Sequence, residues 1–515
     1  MIEDLLVYTV LVPAITAFIT FGLNKPLGRW NGIIAFLASL LSVCILSAAA
    51  CQIFSDLMAR GILRYYERVY DWVVTDSLTL RFGFKADGLS TPVALTVAIV
   101  SALIALYAVK EMRNSENMGI FFSLYQLLFL GMVGLTLSTN LIEFFIFFEI
   151  CVVASWALVN GWGSGDREKV ALKFFLFTEA GALCFLAGIV ATNGYLGTLE
   201  IGEIQLKIMQ LRLETSILIA IVFAMLVGLF VKMAIFPLHS WLPDTYVEAP
   251  TPITALFSSA LSGLAAYAIA RIVFLYTPAL QYVAVAMIVL AVITMIYGAV
   301  NALGQDDFKR LLAYSSISQM GYILLGLGAA AFAVSMGASS LAAIAATGSM
   351  FHYIAHAMGK AVLFLLVGVF TLQVGTSSIS KMGGLAGKMP LTSVLMFIGF
   401  FTLMGVPFTS GFIGEWMIFT GAVSSASLVN DAFALLIALI AIIATVLTFA
   451  YALWSIRKML FGQTPQQLND VREAQLSLLT PLIVMALISL FLGIYPTIFS
   501  EEIRATILPT ILVAP

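Results

Sequence analysis

The chain has 515 residues, 61% of them hydrophobic and only 10% charged, and a mean hydropathy of +1.05. That balance excludes a water-soluble fold and fits an all-α polytopic membrane protein. The formal net charge of −2 offers no basic surface for nucleic acid.

Apolar stretches of about 20 residues suffice to cross a bilayer. About fourteen occur, near 2–23, 31–57, 88–110, 119–138, 140–161, 169–194, 215–236, 251–275, 280–301, 309–333, 341–372, 392–420, 431–460 and 476–500. The first lacks a basic start and a small-residue cleavage site, so it reads as a retained helix. Those near 341–372 and 392–420 exceed one bilayer thickness, which predicts tilt or a break in both.

Loop charges set orientation. Lys25, Arg29, Lys110, Arg113, Arg167, Lys169, Lys173, Lys309, Arg310, Lys381, Lys388, Arg457, Lys458 and Arg472 fall on one side, taken as cytoplasmic. Most of the remainder, including Arg60, Arg64, Arg68, Arg81 and Lys85, lie in one longer outer loop, 58–87. The sorting predicts a multi-pass protein of the cell membrane with both termini outside. It leaves Lys232 and Lys360 as the basic residues within the membrane.

Cys44, Cys51, Cys151 and Cys184 sit in apolar spans without metal-ligand spacing and read as packing residues. No Walker loop, dinucleotide fingerprint, iron–sulfur cysteine cluster or c-type haem site is present. The expectation is a chain with no cofactor and no metal of its own.

The chemistry lies in ionisable residues inside apolar spans: Glu149, Glu179, Lys232, His239, His352, His356, Lys360 and Glu415. An acid or base at a helix centre costs roughly 2.5–3.5 kcal/mol on insertion scales. Eight exposed to lipid would cost on the order of 20 kcal/mol, beyond ordinary folding stability. They must therefore face one another, protein or water.

Lys232 ends an apolar run just before Pro237, where a helix must break or kink. Glu149 in FFIFFEICVV is a candidate partner; at about 4 Å the attraction is roughly 4 kcal/mol at an effective dielectric of 20. Such a pair either switches the protonation of Lys232 or only locks helices together. Glu179 either joins that pair or bonds Thr178 or water. His239 follows the break and is a second candidate partner.

His352, His356 and Lys360 recur every four residues, along one helix face. They form either a proton relay or a set of packed, hydrogen-bonded histidines. Glu415 follows a second proline break at Pro407 and can face Lys360. Glu143, Asp166, Asp244 and Glu248 lie near span ends and read as interfacial. Ser258, Ser259 and Ser262 share a span with Gly263, and Ser315, Ser316, Ser318 and Gln319 crowd another; hydroxyls there either join helices or hold water.

The segment Leu183–Ile189 resembles Leu363–Val369, and the break at Pro237 has a counterpart in Met404–Trp416. These predict two inverted five-helix units, 119–275 and 280–460, flanked by N-terminal helices and an outer loop in 1–118 and a C-terminal helix in 461–515.

LFVKMAIFPLHSWLPDTYVEAPTPITALFSS and DDFKRLLAYSSISQMGYI resemble the broken seventh helix and the central signature of the antiporter-like subunits of respiratory complex I. Relatives of that family include membrane-bound hydrogenases, F420-type dehydrogenases and Mrp cation/proton antiporters. The resemblance implies fourteen helices in two inverted units, each with one discontinuous helix. It implies that Glu149 is the family's fifth-helix glutamate, Lys232 its pumping lysine, His352 and His356 its eleventh-helix histidines and Glu415 its twelfth-helix acid. Glu415 is closest to the M-type pattern, Lys360 to the L-, N- and Mrp D-type pattern. The family often has a lysine four residues before the tyrosine that is here Tyr267; this chain has Gly263 there. The implied function is translocation of protons or sodium by a non-redox pumping subunit of a redox-driven complex, complex I-like or a membrane-bound hydrogenase, that works with other membrane subunits and contacts lipid. The alternatives are a subunit of an Mrp-type antiporter or a non-conducting structural subunit.

Overall fold

The computed structural model describes residues 2–24, 28, 30–74, 79–429 and 432–512. Lys25 and Arg29, used above for orientation, lie outside the described residues. Two helices, α1 (Ile2–Gly22) and α2 (Trp30–Arg60), precede a two-stranded antiparallel hairpin, β1 (Tyr66–Val74) and β2 (Thr79–Ala86). The sequence reading had a charged loop there. Tyr66–Ala86 pairing and the row of aromatic residues Trp72, Phe82 and Phe84 hold the hairpin.

Four further crossings follow: α3 (Ser90–Glu111), α4 (Met118–Leu137), α5 (Leu141–Trp162) and α6 (Arg167–Leu196). A short amphipathic helix, α7 (Ile201–Leu211), buries Ile201, Ile204 and Ile208 and leads to α8 (Thr215–Met233) and α9 (Leu242–Glu248). The next crossing is composite: α10 (Thr251–Leu256), a π turn over Phe257–Leu261, and α11 (Leu264–Arg271). Then come α12 (Thr277–Leu303), α13 (Phe308–Ser335), α14 (Ser339–Val374), α15 (Pro390–Leu403), α16 (Ser410–Val429), α17 (Ala432–Leu460), α18 (Leu476–Ile494) and α19 (Thr497–Leu512).

Thirteen helices among the described residues are long and apolar enough to cross a membrane, and the broken pair α15/α16 supplies the fourteenth crossing. Each pairs its backbone internally, as lipid requires. The expected single C-terminal helix is two, α18 and α19, separated at Pro496. Of the two overlong spans, only 392–420 is broken. Residues 339–374 form one continuous helix, because no proline or left-handed residue interrupts them.

The breaks start before their prolines. In the first, α8 stops at Met233 because Ala234 adopts φ 56°. The freed Val231 carbonyl accepts the Trp241 indole N–H at 2.9 Å, and the Phe236 N–H donates to Thr294 Oγ1 at 3.1 Å. The Phe236–Pro237 peptide is cis. In the second, Gly405 at φ 62° and Phe408 at φ 72° turn the chain, and the Leu403 carbonyl accepts Gln319 Nε2 at 3.1 Å. The two breaks stand in the seventh and twelfth crossings. Five crossings apart, they run in opposite directions.

Candidate functional site

Lys232 sits in the last turn of α8 with 3% of its surface exposed. Its ammonium lies 5.0 Å above the Phe148 ring and 5.8 Å from the Phe174 ring, and it has no hydrogen-bond partner among the described residues. Aromatic faces attract such a cation electrostatically. Glu149 and Cys151, one and three residues beyond Phe148 on α5, are within its electrostatic reach. No ion pair shorter than 4.0 Å joins Lys232 to Glu149 among the described residues. The direct pair considered from the sequence is therefore not closed, though each side chain lies within the other's field.

Glu149 meets Glu179 instead. The two carboxyls lie close enough across α5 and α6 to interact directly. Thr178 bonds the Phe174 and Phe175 carbonyls and leaves Glu179 alone. Both acids are only half-buried, on a flank where Leu172, Leu176 and Leu183 are also exposed.

His239 does not contact Lys232. It stacks on Phe236 and meets Tyr297 edge-on, with ring centroids 5.6 and 4.5 Å away, in the turn after the break.

Helix α14 carries the second cluster. His352 Nε2 lies 2.8 Å from Gln319 Oε1 and its ring stacks on Tyr322. The backbone of Gly411, at the start of α16, also reaches that imidazole. His356 is buried with both ring nitrogens unpartnered, between the fields of His352 and Lys360. Lys360, fully buried, donates to the Leu312 carbonyl at 2.8 Å and to Ser315 Oγ at 2.6 Å. The expected approach of Glu415 to Lys360 is indirect. Glu415, 7% exposed, has its carboxyl against Gly405 of the break. Tyr451 on α17 touches the Lys360 side and is in reach of the acid: its hydroxyl lies 3.0 Å from Ser315 Oγ, and it feels Glu415.

The residues the sequence did not single out are Tyr246, Tyr353 and Tyr451, each buried and each bonded through its hydroxyl. A tyrosine in an apolar run reads as core; only its obligation to satisfy a buried O–H gives a signal. Lys309, taken as a loop charge, donates to the Val247 and Ala249 carbonyls at 3.0 and 2.5 Å and so binds the C-terminal end of α9. Glu143, taken as interfacial, is fully buried; its Oε2 accepts the Gly83 and Thr139 N–H groups and ties α5 to the hairpin. Asp244 is half-exposed as expected and pairs with Lys173 at 2.8 Å. Cys151 is buried, Cys184 partly so, while Cys44 and Cys51 lie on the outer surface of the chain.

Outside the membrane-spanning segments, Asp87 and Glu200 are among the carboxyls that depart from ordinary behaviour. Burial opposes ionisation of Asp87, but Arg271 at 2.6 Å and the Ser90 N–H outweigh it and hold its pKa down. Burial pushes Glu200 up to about 7, against the pull of Arg81.

Residues 138–448 match the family described as NADH:quinone oxidoreductase/Mrp antiporter, TM, and residues 72–122 match the one described as NADH-Ubiquinone oxidoreductase (complex I), chain 5 N-terminus. The chain is 32% identical over 501 residues to the F(420)H(2) dehydrogenase subunit M of Methanosarcina mazei, covering 95% of this chain and 94% of that protein. It is 33% identical to an NAD(P)H-quinone oxidoreductase chain 4 of a Synechococcus strain, covering 85% and 80%. It is 32% identical to a Na(+)/H(+) antiporter subunit of Bacillus subtilis, covering 86% of this chain and 56% of that one. In fold it is similar to a chain of respiratory complex I from Thermus thermophilus, with a TM-score of 0.83 at 23% identity and full coverage of both. A chain of the Mrp complex from Dietzia gives 0.82 at 20%, covering 99% of each.

Proposed function

The chain is an antiporter-like membrane subunit of the NADH:quinone oxidoreductase/Mrp antiporter family, and from that premise we propose that it carries protons across the membrane within a redox-driven complex. The observation that carries the proposal is the buried titratable row itself: Lys232, His352, His356, Lys360 and Glu415 lie in the interior of two units that each hold a broken helix. Lys232 and His356 have side-chain nitrogens without a fixed partner, so a proton there is not locked into a static bond. The acids Glu149 and Glu179 sit at the half-open flank of the first unit, where a neighbouring membrane subunit would cover them.

In this reading a proton enters the first unit, is held at Lys232, passes to the histidine–lysine row of α14 and leaves past Glu415. The separation of Lys232 and Glu149 sets the gate: the lysine keeps its proton when the carboxylate approaches and releases it when the carboxylate recedes. His239 serves the turn at the first break. The chain has its termini on one side of the membrane, since it crosses an even number of times, and the lysine and arginine distribution supports the outer side of the cell membrane.

A redox complex is favoured over an Mrp-type antiporter by Glu415, an acid where the M-type pattern has one and other types carry lysine. The subunits that purify with it discriminate the two, since a redox complex brings electron-carrying partners.

Replacing Lys232 by alanine is expected to remove most ion uptake by vesicles containing the intact complex, while the complex still assembles. Wild-type uptake in that variant sinks the assigned role and favours a non-conducting subunit.

A further inference from the structure

Between Lys232 and Lys360 the interior is lined with hydroxyls rather than charges. The Tyr246 hydroxyl on α9 lies 2.6 Å from Ser262 Oγ and also beside Ser258. Ser258 Oγ is 2.8 Å from Ser316 Oγ on α13. Ser316 donates to the Leu312 carbonyl at 2.9 Å, the same oxygen that accepts Lys360 at 2.8 Å. Beyond Lys360 the chain of contacts continues through Ser315 to Tyr451 and the neighbourhood of Glu415. All of these side chains are buried.

Local backbone places them. The π turn Phe257–Leu261 carries one extra residue in its hydrogen-bonded ring, closed by the Ser262 N–H on the Phe257 carbonyl at 3.0 Å. Such turns cluster at functional sites. Ser258 lies within the turn and Ser262 closes it, so that Ser262 meets α9 while Ser258 meets α13. A base on this span has no room at 263. A Cβ there would fall 2.0 Å from two ring carbons of Tyr353, whose hydroxyl is fixed on the Ala260 carbonyl at 2.6 Å.

We propose that Tyr246, Ser258 and Ser316 form a hydroxyl relay that delivers protons to Lys360, and that Ser315 and Tyr451 pass them on toward Glu415. The proposal rests on the ion path described above and specifies its central segment and its ion. Each hydroxyl accepts a proton on its lone pair and releases its own, so one O–H bond forms for each that breaks. One proton crosses and no charge is left behind. A carbonyl holds no proton, so at Leu312 the Ser316 hydroxyl turns away and presents its lone pair to the Lys360 ammonium or its proton to the neutral amine. Exchange of this kind moves a proton and no metal cation. The relay begins behind Phe174 and Phe257, stacked 6.1 Å apart, which stand between it and Lys232.

The test uses the complete complex containing this chain, purified from its membrane and reconstituted in vesicles with an entrapped pH dye, with radioactive sodium uptake measured in parallel. Tyr246→Phe and Ser316→Ala are each expected to slow proton uptake by about a hundredfold, the low end of what a positioned proton-transfer group contributes. Ser316→Thr, which keeps the hydroxyl, is expected to restore it. Lys232→Ala is the control for the path as a whole. If Lys232→Ala abolishes uptake while Tyr246→Phe and Ser316→Ala pump normally, the relay is wrong and the path stands. If all three pump normally, the path is wrong too. Sodium accumulation in place of acidification overturns the relay outright. Should Ser316→Ala fail to assemble, Tyr246→Phe decides, since it keeps the ring against Phe257 and Phe364.

Discussion

Gly263→Ala is the sharpest test of the central packing. The added methyl would sit 2.0 Å from Cδ2 and Cε2 of Tyr353, whereas carbon atoms prefer about 3.5–4.0 Å. The ring cannot simply swing away, because it is fully buried and its hydroxyl donates to the Ala260 carbonyl. Overpacking of this kind costs about 1–3 kcal/mol, and loss of the tyrosine hydrogen bond adds about 1 kcal/mol. A destabilisation near the top of that range, about 3 kcal/mol, is therefore expected. The assay is a double-mutant cycle on the melting temperature of the detergent-solubilised complex. Tyr353→Ala alone is costly, since large-to-small changes at aromatic positions cost about 3–5 kcal/mol. In that background, however, Gly263→Ala should cost nothing further. Equal drops in the two backgrounds, or a fully tolerated Gly263→Ala, refute the contact and with it the exclusion of a base at 263.

Two stability predictions concern the face that carries the β1–β2 hairpin. Arg271→Leu leaves the buried Asp87 carboxylate unpaired and should cost about 3–5 kcal/mol, whereas the double change Asp87→Leu/Arg271→Leu should recover most of it. A residue of about 1 kcal/mol should persist, because Asp87 Oδ1 also accepts the Leu89 and Ser90 N–H groups at the start of α3. A double variant no more stable than Arg271→Leu contradicts the pairing. For Glu200 the folded chain holds a proton up to about 7 that the unfolded chain releases near 4.5. Stability should then fall as pH rises across that window and level off above it. Glu200→Gln should flatten the dependence of the melting temperature on pH there; an unchanged profile rules Glu200 out as its source.

The fourteen crossings were legible because each must supply about 20 apolar residues, and a lysine or glutamate inside one stands out against that background. Lys232, His352, His356, Lys360 and Glu415 are indeed buried. What the sequence could not carry is which of them touch. Glu149 and Lys232 read as a pair by charge alone, yet the Lys232 ammonium sits 5.0 Å above the Phe148 ring and makes no ion pair within 4.0 Å among the described residues. Lys360 satisfies itself on Leu312 and Ser315 of α13, a contact fixed by helix rotation. The tyrosines at 246, 353 and 451 were hidden because an aromatic residue in an apolar helix looks like packing. The breaks were placed at Pro237 and Pro407, but the left-handed residues Ala234 and Gly405 come first. Proline shows that a helix ends nearby; the turn itself depends on backbone torsions with no strong residue signature at an alanine.

The unbroken course of α14 has a consequence for how this family can vary. His352 and Lys360 are eight residues apart on one helix, a rise of about 12 Å with no joint between them. An inserted residue anywhere in that interval would rotate Lys360 by about 100° and carry it off the Leu312 carbonyl. The same insertion among residues 234–241 would fall in irregular chain and be absorbed there. Length changes are therefore expected to accumulate at the breaks and never in α14, which acts as the ruler against which the moving parts are set.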